Sequence, residues 1–465
     1  MKKKIYSFLS VIFLIGAILL HPLNGQAVNY AADAEERKNR PIESNDIIGW
    51  PDGPIVNADA AILMEADTGT ILYAKNIYSK QYPASTTKLL TTLIAYENSK
   101  LDEKVHFSKA AIDAITWDSS NMGMKAGDIL TMEQALYGIL VGSANESANA
   151  VGEHISGSMA SFATLMNAYA EELGCINSHF VNANGLYDDE HYTCAYDLAI
   201  IAQAFFRNDL LCKMSSTYSY KVSDTKSVYS HNKLLKNREY EYDYLVGSKT
   251  GYTDIARNTL VSCAQKDDMK LICVVLKEEA PNQFADTVEL FNYGFSNFHA
   301  YEVADYEKDL NVTHFEFIES QTDIFGSSTP LMQLEKNAKV ILPITSSFDD
   351  AKKKLIYHPS GEDSMATISY YFSDVEVGSC DVYIQSDILS TDGNTDSDIL
   401  GQDTTDEEKD SKKNENGKVI FINVKHVLFY IVGITGLLII IISFTKMMKE
   451  YHFGFSKHRR RRRRR

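Results

Sequence analysis

Cysteine is scarce in this 465-residue chain: six residues, at positions 175, 194, 212, 263, 273 and 380, no two of them in C-x-x-C spacing. That scatter argues against a zinc site and against a disulfide-dense scaffold. Cys263 and Cys273 fall in apolar, strand-like runs and read as core residues, and pairing among the six is left open. His154, His179, His191 and His231 show no ligand spacing either, so neither a metal nor a cofactor is expected. No segment repeats with a period of about 20 to 50 residues, which excludes a solenoid.

Positive charge is also in short supply over most of the chain. The net charge is −16, yet residues 1–27 carry +3 and residues 446–465 carry +9, which leaves −28 for everything between. A surface this acidic argues against nucleic acid as a partner. The basic ends have their own reading. Lys2, Lys3 and Lys4 precede an apolar run from Ile5 to Leu20 and then small or polar residues, the pattern of a secretion signal over 1–27. Val427 to Phe444 holds eighteen residues without a charge, enough to cross a bilayer, and a span over 427–445 is followed by a basic tail that ends in Arg459 to Arg465. Basic residues beside a span stay in the cytoplasm, so residues 28–426 are expected outside a cell membrane.

With 45% hydrophobic residues the chain can bury a full core and more than one domain. Residues 28–54 are polar and read as a loose lead-in. Ala60 to Met64 and Thr70 to Ala74 flank Asp67-Thr68-Gly69 as a hairpin, and a second hairpin places Leu260 to Ala264 and Leu271 to Leu276 around Lys266-Asp267-Asp268. Helical patterns lie between them, among them Met132 to Val141 behind a Thr131-x-x-Gln134 capping box and Phe162 to Leu173. Strands from both ends with helices between them predict an α+β domain over 55–298, an antiparallel sheet with a helical insert. Short β-type runs at Lys339 to Pro343, Ala366 to Phe372 and Cys380 to Gln385 predict a small β domain over 299–388, and the Asp- and Ser-rich residues 389–426 read as a disordered tether.

The chemistry begins at Tyr82-Pro83-Ala84-Ser85-Thr86-Thr87-Lys88. Pro83 suits a helix start, Leu89, Leu90, Leu93 and Ile94 give the helix a buried face, and Lys88 stands one turn after Ser85. A serine hydroxyl is a weak nucleophile until a base takes its proton, and a partly neutralised lysine can do so. A second Ser-x-x-Lys, Ser223 to Lys226, lies in a polar run and reads as a solvated loop. Ser143-Ala144-Asn145 follows the helix that ends near Val141 and can aim a hydroxyl and an amide into one cleft. The nearby Ser147-Ala148-Asn149 is discounted, because positions two apart on a helix do not share a face. Lys249-Thr250-Gly251-Tyr252 lies on a strand, where the lysine supplies positive potential, the Thr250 hydroxyl can bind a carboxylate and Gly251 lets backbone come close to a ligand.

The order of these three groups resembles that of the penicillin-binding proteins and class A β-lactamases. From Ile55 to Phe298 the chain is more closely similar to the D-alanyl-D-alanine carboxypeptidases, through Phe180 to Leu186, Ala195 to Ala199, His231 to Leu235 and Tyr293-Gly294-Phe295. The resemblance implies that Ser85 attacks the carbonyl between the two terminal D-alanines of a peptidoglycan stem peptide with Lys88 as base. The N–H groups of Ser85 and Tyr252 would hold the oxyanion, Ser143 would pass a proton to the leaving amine, and Asn145 would orient Lys88 and the substrate. Lys249 and Thr250 would hold the terminal carboxylate, and β-lactams would inhibit by acylating Ser85. The chain departs from that family at Ala256-Arg257, where Ala-Gly is usual, and at Gln283, where an arginine is common; two outcomes are open, that Arg257 compensates or that activity is weak. Its tail also reads as fully spanning, where the family often has an amphipathic surface helix. Two alternatives share the motifs. A β-lactamase needs an added carboxylate, and no Glu of the insert stands out for that role. A catalytically weak penicillin-binding or wall-binding protein has the two substitutions in its favour.

Overall fold

A computed structural model describes residues 30–307, 332–358 and 364–384. Strands Ala60–Glu65 and Ile71–Lys75 form the first hairpin. Its turn closes on Glu65, whose Oε2 accepts from Asp67 N, Thr68 N and Thr68 Oγ1 at 2.8–3.0 Å, with Gly69 at φ +74 completing the reversal. The late hairpin, Arg257–Lys266 with Met269–Glu278, pairs onto the first through Ile62 opposite Val274. Leu245–Thr253 adds along Arg257–Lys266, so five antiparallel strands run in the order 71–75, 60–65, 269–278, 257–266, 245–253.

Both faces of this sheet are buried, and the period-two alternation of a strand divides its side chains between two apolar clusters. Ile62, Met64, Ile272, Val274 and Leu276 face the helical insert, where helices Lys88–Asn98, Met132–Leu140, Asn145–Ser156, Met159–Leu173 and Ala195–Phe206 contribute Leu90, Leu136, Val151, Phe162 and Leu198. The predicted capping box at Thr131 and Gln134 opens Met132–Leu140. Ala61, Leu63, Leu271, Cys273 and Val275 face the other way, onto helix Asn282–Asn297. Gly294 of that helix lies flat on the sheet, because a Cβ there would come within 2.7 Å of Leu271 and Leu63 methyl carbons. The α+β sheet-and-insert architecture expected from the sequence is therefore present. All six cysteines are free, and five of them are buried.

Residues 30–54 depart from the loose lead-in expected. Tyr30–Lys38 is a helix and Glu43–Asp46 a 3-10 turn. Strand Ile71–Lys75 is a sheet edge with unpaired backbone groups, and the lead-in covers it: Ala74 N donates to Ser44 Oγ at 3.2 Å and Trp50 Nε1 to Leu72 O at 2.9 Å. Arg37 is 1% exposed and donates to Lys277 O at 2.7 Å and Glu279 Oε1 at 3.1 Å. The segment reads as polar because it offers the sheet hydrogen-bond partners more than apolar bulk.

After residue 298 the described residues form strand Phe298–Glu302 paired with Lys339–Pro343, and a four-stranded sheet in the order Met332–Leu334, Val375–Ile384, Ala366–Phe372, Lys352–Tyr357. Val340, Leu342, Tyr370 and Val382 from these strands join the same apolar cluster as Trp50 and Phe298. The predicted signal, tether, span and basic tail lie outside the described residues; among those described, no helix is long and apolar enough to cross a membrane. Replacing Arg37 by alanine removes the buried donors that tie the lead-in to Lys277 and Glu279. Arg37→Ala is expected to cost about 2 kcal/mol of unfolding free energy, and an unchanged denaturant midpoint would refute the clamp.

Candidate active site

Ser85 lies in a 3-10 turn, Ala84–Thr87, that runs directly into helix Lys88–Asn98. The turn is held from three sides. Thr86 Oγ1 donates to Pro83 O at 2.7 Å, Thr259 Oγ1 donates to the same carbonyl at 3.0 Å, and Ala84 is forced to φ +50. Ser85 is half-buried at the mouth of a cleft of about 350 Å³, while Lys88 is fully buried behind it.

Lys88 Nζ lies 2.8 Å from Ser85 Oγ, 2.7 Å from Asn145 Oδ1 and 2.6 Å from Asn184 O. Two of these three partners are pure acceptors. A neutral amine therefore spends both N–H groups on Asn145 and Asn184 and turns its lone pair to the Ser85 hydroxyl. Burial lowers the Lys88 pKa well below that of an ordinary lysine, and the nearby Lys249 ammonium lowers it further, against the opposing carboxylate of Glu146. The amine can then accept the serine proton at working pH.

Ser143 and Asn145 are delivered by the junction of Met132–Leu140 and Asn145–Ser156. Ser143 is held at φ +54, which lets its hydroxyl meet strand Leu245–Thr253, where Lys249 Nζ donates to Ser143 Oγ at 3.0 Å and to Thr250 O at 2.7 Å. Burial lowers Lys249 to about 7. Thr250, Gly251 and Tyr252 line the cleft along the outer edge strand of the sheet. Gly251 is required there because a Cβ would stand 2.9 Å from Ser85 N and 2.4 Å from Thr259 Oγ1. All eight residues expected from the sequence thus converge on one cleft.

Several contributors were not foreseen. Asn184 presents its carbonyl to Lys88, and its side chain is braced by Asn149 Oδ1 at 2.9 Å. Ser147 and Asn149, discounted as a second Ser-x-Asn, do not enter the cleft: Ser147 Oγ donates to Ala135 O, and Asn149 Nδ2 to Ala111 O. His191 is buried; its Nδ1 accepts from Val181 N at 3.1 Å, so the proton sits on Nε2, 2.9 Å from Thr87 Oγ1. Burial lowers this imidazole to about 4, so it stays neutral and pins the 181–191 loop to the Ser85 turn. Asp118, Ser119 and Ser120 complete the rim, from a loop held by Glu146 Oε1, which accepts from Met122 N at 2.8 Å. Asn182, whose Oδ1 accepts from Gly185 N at 2.7 Å, and Gly185 itself lie on the loop read as family-like and carried the available signal; the Asp118–Ser120 rim gave none. Ser223 and Lys226 do not form the solvated loop expected: they are paired strand residues on either side of a hairpin turn, half-buried, and Lys226 Nζ donates to Gly123 O at 2.6 Å.

Compensation for Gln283 by Arg257 does not fit the geometry. Arg257 sits at φ +55 and turns its guanidinium to both carboxylate oxygens of Glu279, outside the cleft lining. Gln283 does line the cleft, 6% exposed.

The fold is that of the penicillin-binding proteins. Penicillin-binding protein 6B from Escherichia coli matches with a TM-score of 0.56 at 24% identity, covering 73% of this chain and 99% of its own. Penicillin-binding protein 5 from Haemophilus influenzae matches at 0.57 and 23%, covering 72% and 98%. Residues 50–280 match the family model of the D-alanyl-D-alanine carboxypeptidases. The carboxypeptidase DacF of Bacillus subtilis is 34% identical over 251 residues, 52% of this chain and 63% of that protein, and DacA of Haemophilus influenzae 30% identical over 267 residues, 56% and 67%. The chain belongs to the D-alanyl-D-alanine carboxypeptidase family, and the matched stretch spans a little under two thirds of DacF.

Gly185 tests how tightly the loop and the nucleophile turn are fitted. It sits at φ +83, and a Cβ there would stand 1.8 Å from Ala84 O. Gly185→Ala must push the backbone under Ser85, so acylation by a fluorescent penicillin is expected to slow at least about tenfold. An unchanged acylation rate would show that the contact does not position Ser85.

Proposed function

We propose that this chain is a serine carboxypeptidase that removes the terminal D-alanine from peptidoglycan stem peptides through an acyl-Ser85 intermediate. The observation that carries the reading is the placement of Lys88 Nζ 2.8 Å from Ser85 Oγ, with its other two directions taken by Asn145 Oδ1 and Asn184 O. Ser85 Oγ attacks the carbonyl between the two D-alanines while Lys88 takes its proton. The negative charge that develops on the carbonyl oxygen is met by the N–H groups of Ser85 and Tyr252, donors fixed before the reaction begins. Ser143 passes a proton to the departing amine, and Lys249 with Thr250 holds the terminal carboxylate in the orientation that places the scissile bond. Water then hydrolyses the ester and frees Ser85.

A β-lactam presents the same carbonyl, but its leaving nitrogen remains tethered through the ring, so the acyl-enzyme persists and the antibiotic inhibits. The β-lactamase alternative gains no support from Glu146, because this carboxylate is buried behind Lys88 and does not line the cleft. The layout proposed around the catalytic part is a cleaved signal, a small β domain over 299–388, a tether, and a C-terminal span that keeps residues 28–426 on the outer side of the cell membrane. The charge-free run from Val427 to Phe444 and the basic residues after it support that placement.

The deciding assay incubates the chain and its Ser85→Ala variant with diacetyl-L-Lys-D-Ala-D-Ala and measures free D-alanine, with fluorescent penicillin in parallel. Release and labelling should both disappear in the variant. Labelling without release in the parent would instead mark a penicillin-binding protein of little turnover, and rapid loss of the label would mark a β-lactamase.

The two lysines also set a pH profile. Lys88 acts as base only when neutral, so kcat/KM should rise with pH through its depressed pKa. Lys249 attracts the carboxylate only when charged, so kcat/KM should fall as pH passes about 7. Lys249→Arg keeps its charge and should move that falling limb upward; a limb that stays in place would assign it to another group.

A further inference from the structure

The insert side of the cleft is lined by Asp118, Ser119 and Ser120. Among the described residues of the cleft lining, Asp118 supplies the one carboxylate, and no lysine or arginine lines the cleft with it. The Asp118 side chain is exposed and makes no hydrogen bond or ion pair with a described residue. Its loop is nonetheless held. Ser119 Oγ donates to Thr116 O at 2.8 Å, Asn121 Nδ2 donates to Ser119 O at 2.8 Å, and Glu146 Oε1 accepts from Met122 N at 2.8 Å. A held backbone therefore presents an unpaired carboxylate at the mouth of a ligand cleft, where a cation carried by the ligand can reach it.

Which part of the substrate arrives there follows from the order of contacts along the insert edge, and this step rests on the carboxypeptidase reading. Lys249, which takes the terminal carboxylate, donates to Ser143 Oγ at 3.0 Å. Lys88, beside the nucleophile, lies 2.7 Å from Asn145 Oδ1. Asn145 N in turn donates to Ser120 O at 2.9 Å, and Ser119 and Asp118 follow on the same loop. The edge thus runs from the carboxylate holder, past the nucleophile, to Asp118. A stem peptide with its carboxylate at Lys249 and its reacting carbonyl at Ser85 continues in that direction, advancing about 3.4 Å per residue. The side chain that can reach the rim belongs to the residue before the two D-alanines. Where that residue is lysine, it carries a primary ammonium on a flexible four-carbon stem.

We propose that Asp118 determines specificity for the residue before the two D-alanines, its carboxylate pairing with a free side-chain ammonium there, so that the enzyme favours stem peptides whose side-chain amine is free over those whose amine is acylated. The bond broken is the same amide between the two D-alanines. Acylation of the amine removes its charge and leaves Asp118 without a partner, which is how the site tells the two kinds of stem apart.

The test uses the full chain in detergent and its Asp118→Asn variant, which keeps the shape of the side chain and removes its charge. Each is given L-Lys-D-Ala-D-Ala acetylated at Nα alone, with the side-chain ammonium free, and the diacetyl peptide, with both amines blocked, and released D-alanine is quantified. In the parent chain kcat/KM for the free-amine peptide should exceed that for the diacetyl peptide about threefold to fivefold, the scale of an ion pair open to solvent. In Asp118→Asn the ratio should fall to about one. A parent ratio of about one, or the same ratio in both proteins, overturns the assignment while leaving the carboxypeptidase reading intact. Release of no D-alanine from either peptide by the parent chain overturns both. Should the variant release none, the parent ratio in about 0.5 M NaCl decides, because salt at that strength screens an exposed pair: a ratio that collapses towards one supports the pairing, and an unchanged ratio overturns it.

Discussion

The site depends on keeping one amine out of water. Lys88 is fully buried, and an ammonium in that position is stabilised only by what surrounds it. Three oxygens stand within 2.8 Å of Nζ, enough to orient it, yet the nearest full charges are mixed, Glu146 on one side and Lys249 on the other. That balance leaves the amine oriented without holding its proton tightly. A single well-paired carboxylate would have raised its pKa and removed the base. Glu146 is kept from that role in part because its Oε1 is engaged by the N–H groups of Met122 and Met124.

The fold exists to bring three distant stretches to this amine. Ser85 and Lys88 follow the first hairpin, Ser143 and Asn145 sit at a helix junction in the insert, and Lys249 to Tyr252 lie on the far edge strand. The sheet fixes the first and third stretches relative to each other through the pairing of Ala60–Glu65 with Met269–Glu278. Asn232 then couples the loop before the edge strand to the strand itself, through its bond to Ser248 Oγ. Within this frame the cleft opens at the sheet edge, where an extended peptide can lie beside strand backbone.

What could be read from the sequence was whatever acts locally or through side-chain type. The helix start at Pro83, the capping box at Thr131 and both hairpins are decided by neighbouring residues, and each formed where expected. Ser85 and Lys88 are three residues apart across the 3-10 turn that opens the helix, so the sequence spacing already brings them to one side. Asn184 contributes a carbonyl, which every residue has, so no spacing could single it out. The Asp118–Ser120 rim is placed by Glu146, more than twenty residues away, a partnership that leaves no periodic trace. The lead-in was misread because Arg37 and Ser44 serve the fold through polar contacts, and sequence patterning registers burial mainly as apolar content.

Arg257 shows how one local rule can be broken without loss of the fold. It follows the turn at the end of the edge strand and sits at φ +55, a conformation that costs a non-glycine residue about 1 kcal/mol. Glycine would relieve that cost, which explains a preference for glycine at such a position on backbone grounds alone. Here the arginine is held instead by a two-pronged pair with Glu279, whose carboxylate also receives Arg37 from the lead-in helix, and its guanidinium lies 5.9 Å from the Tyr252 ring. Glu279 is about a third exposed, so water weakens the pairing, but the bidentate geometry is the favourable case for a pair near the surface. The lead-in, the strand end and the cleft edge are therefore linked through one carboxylate.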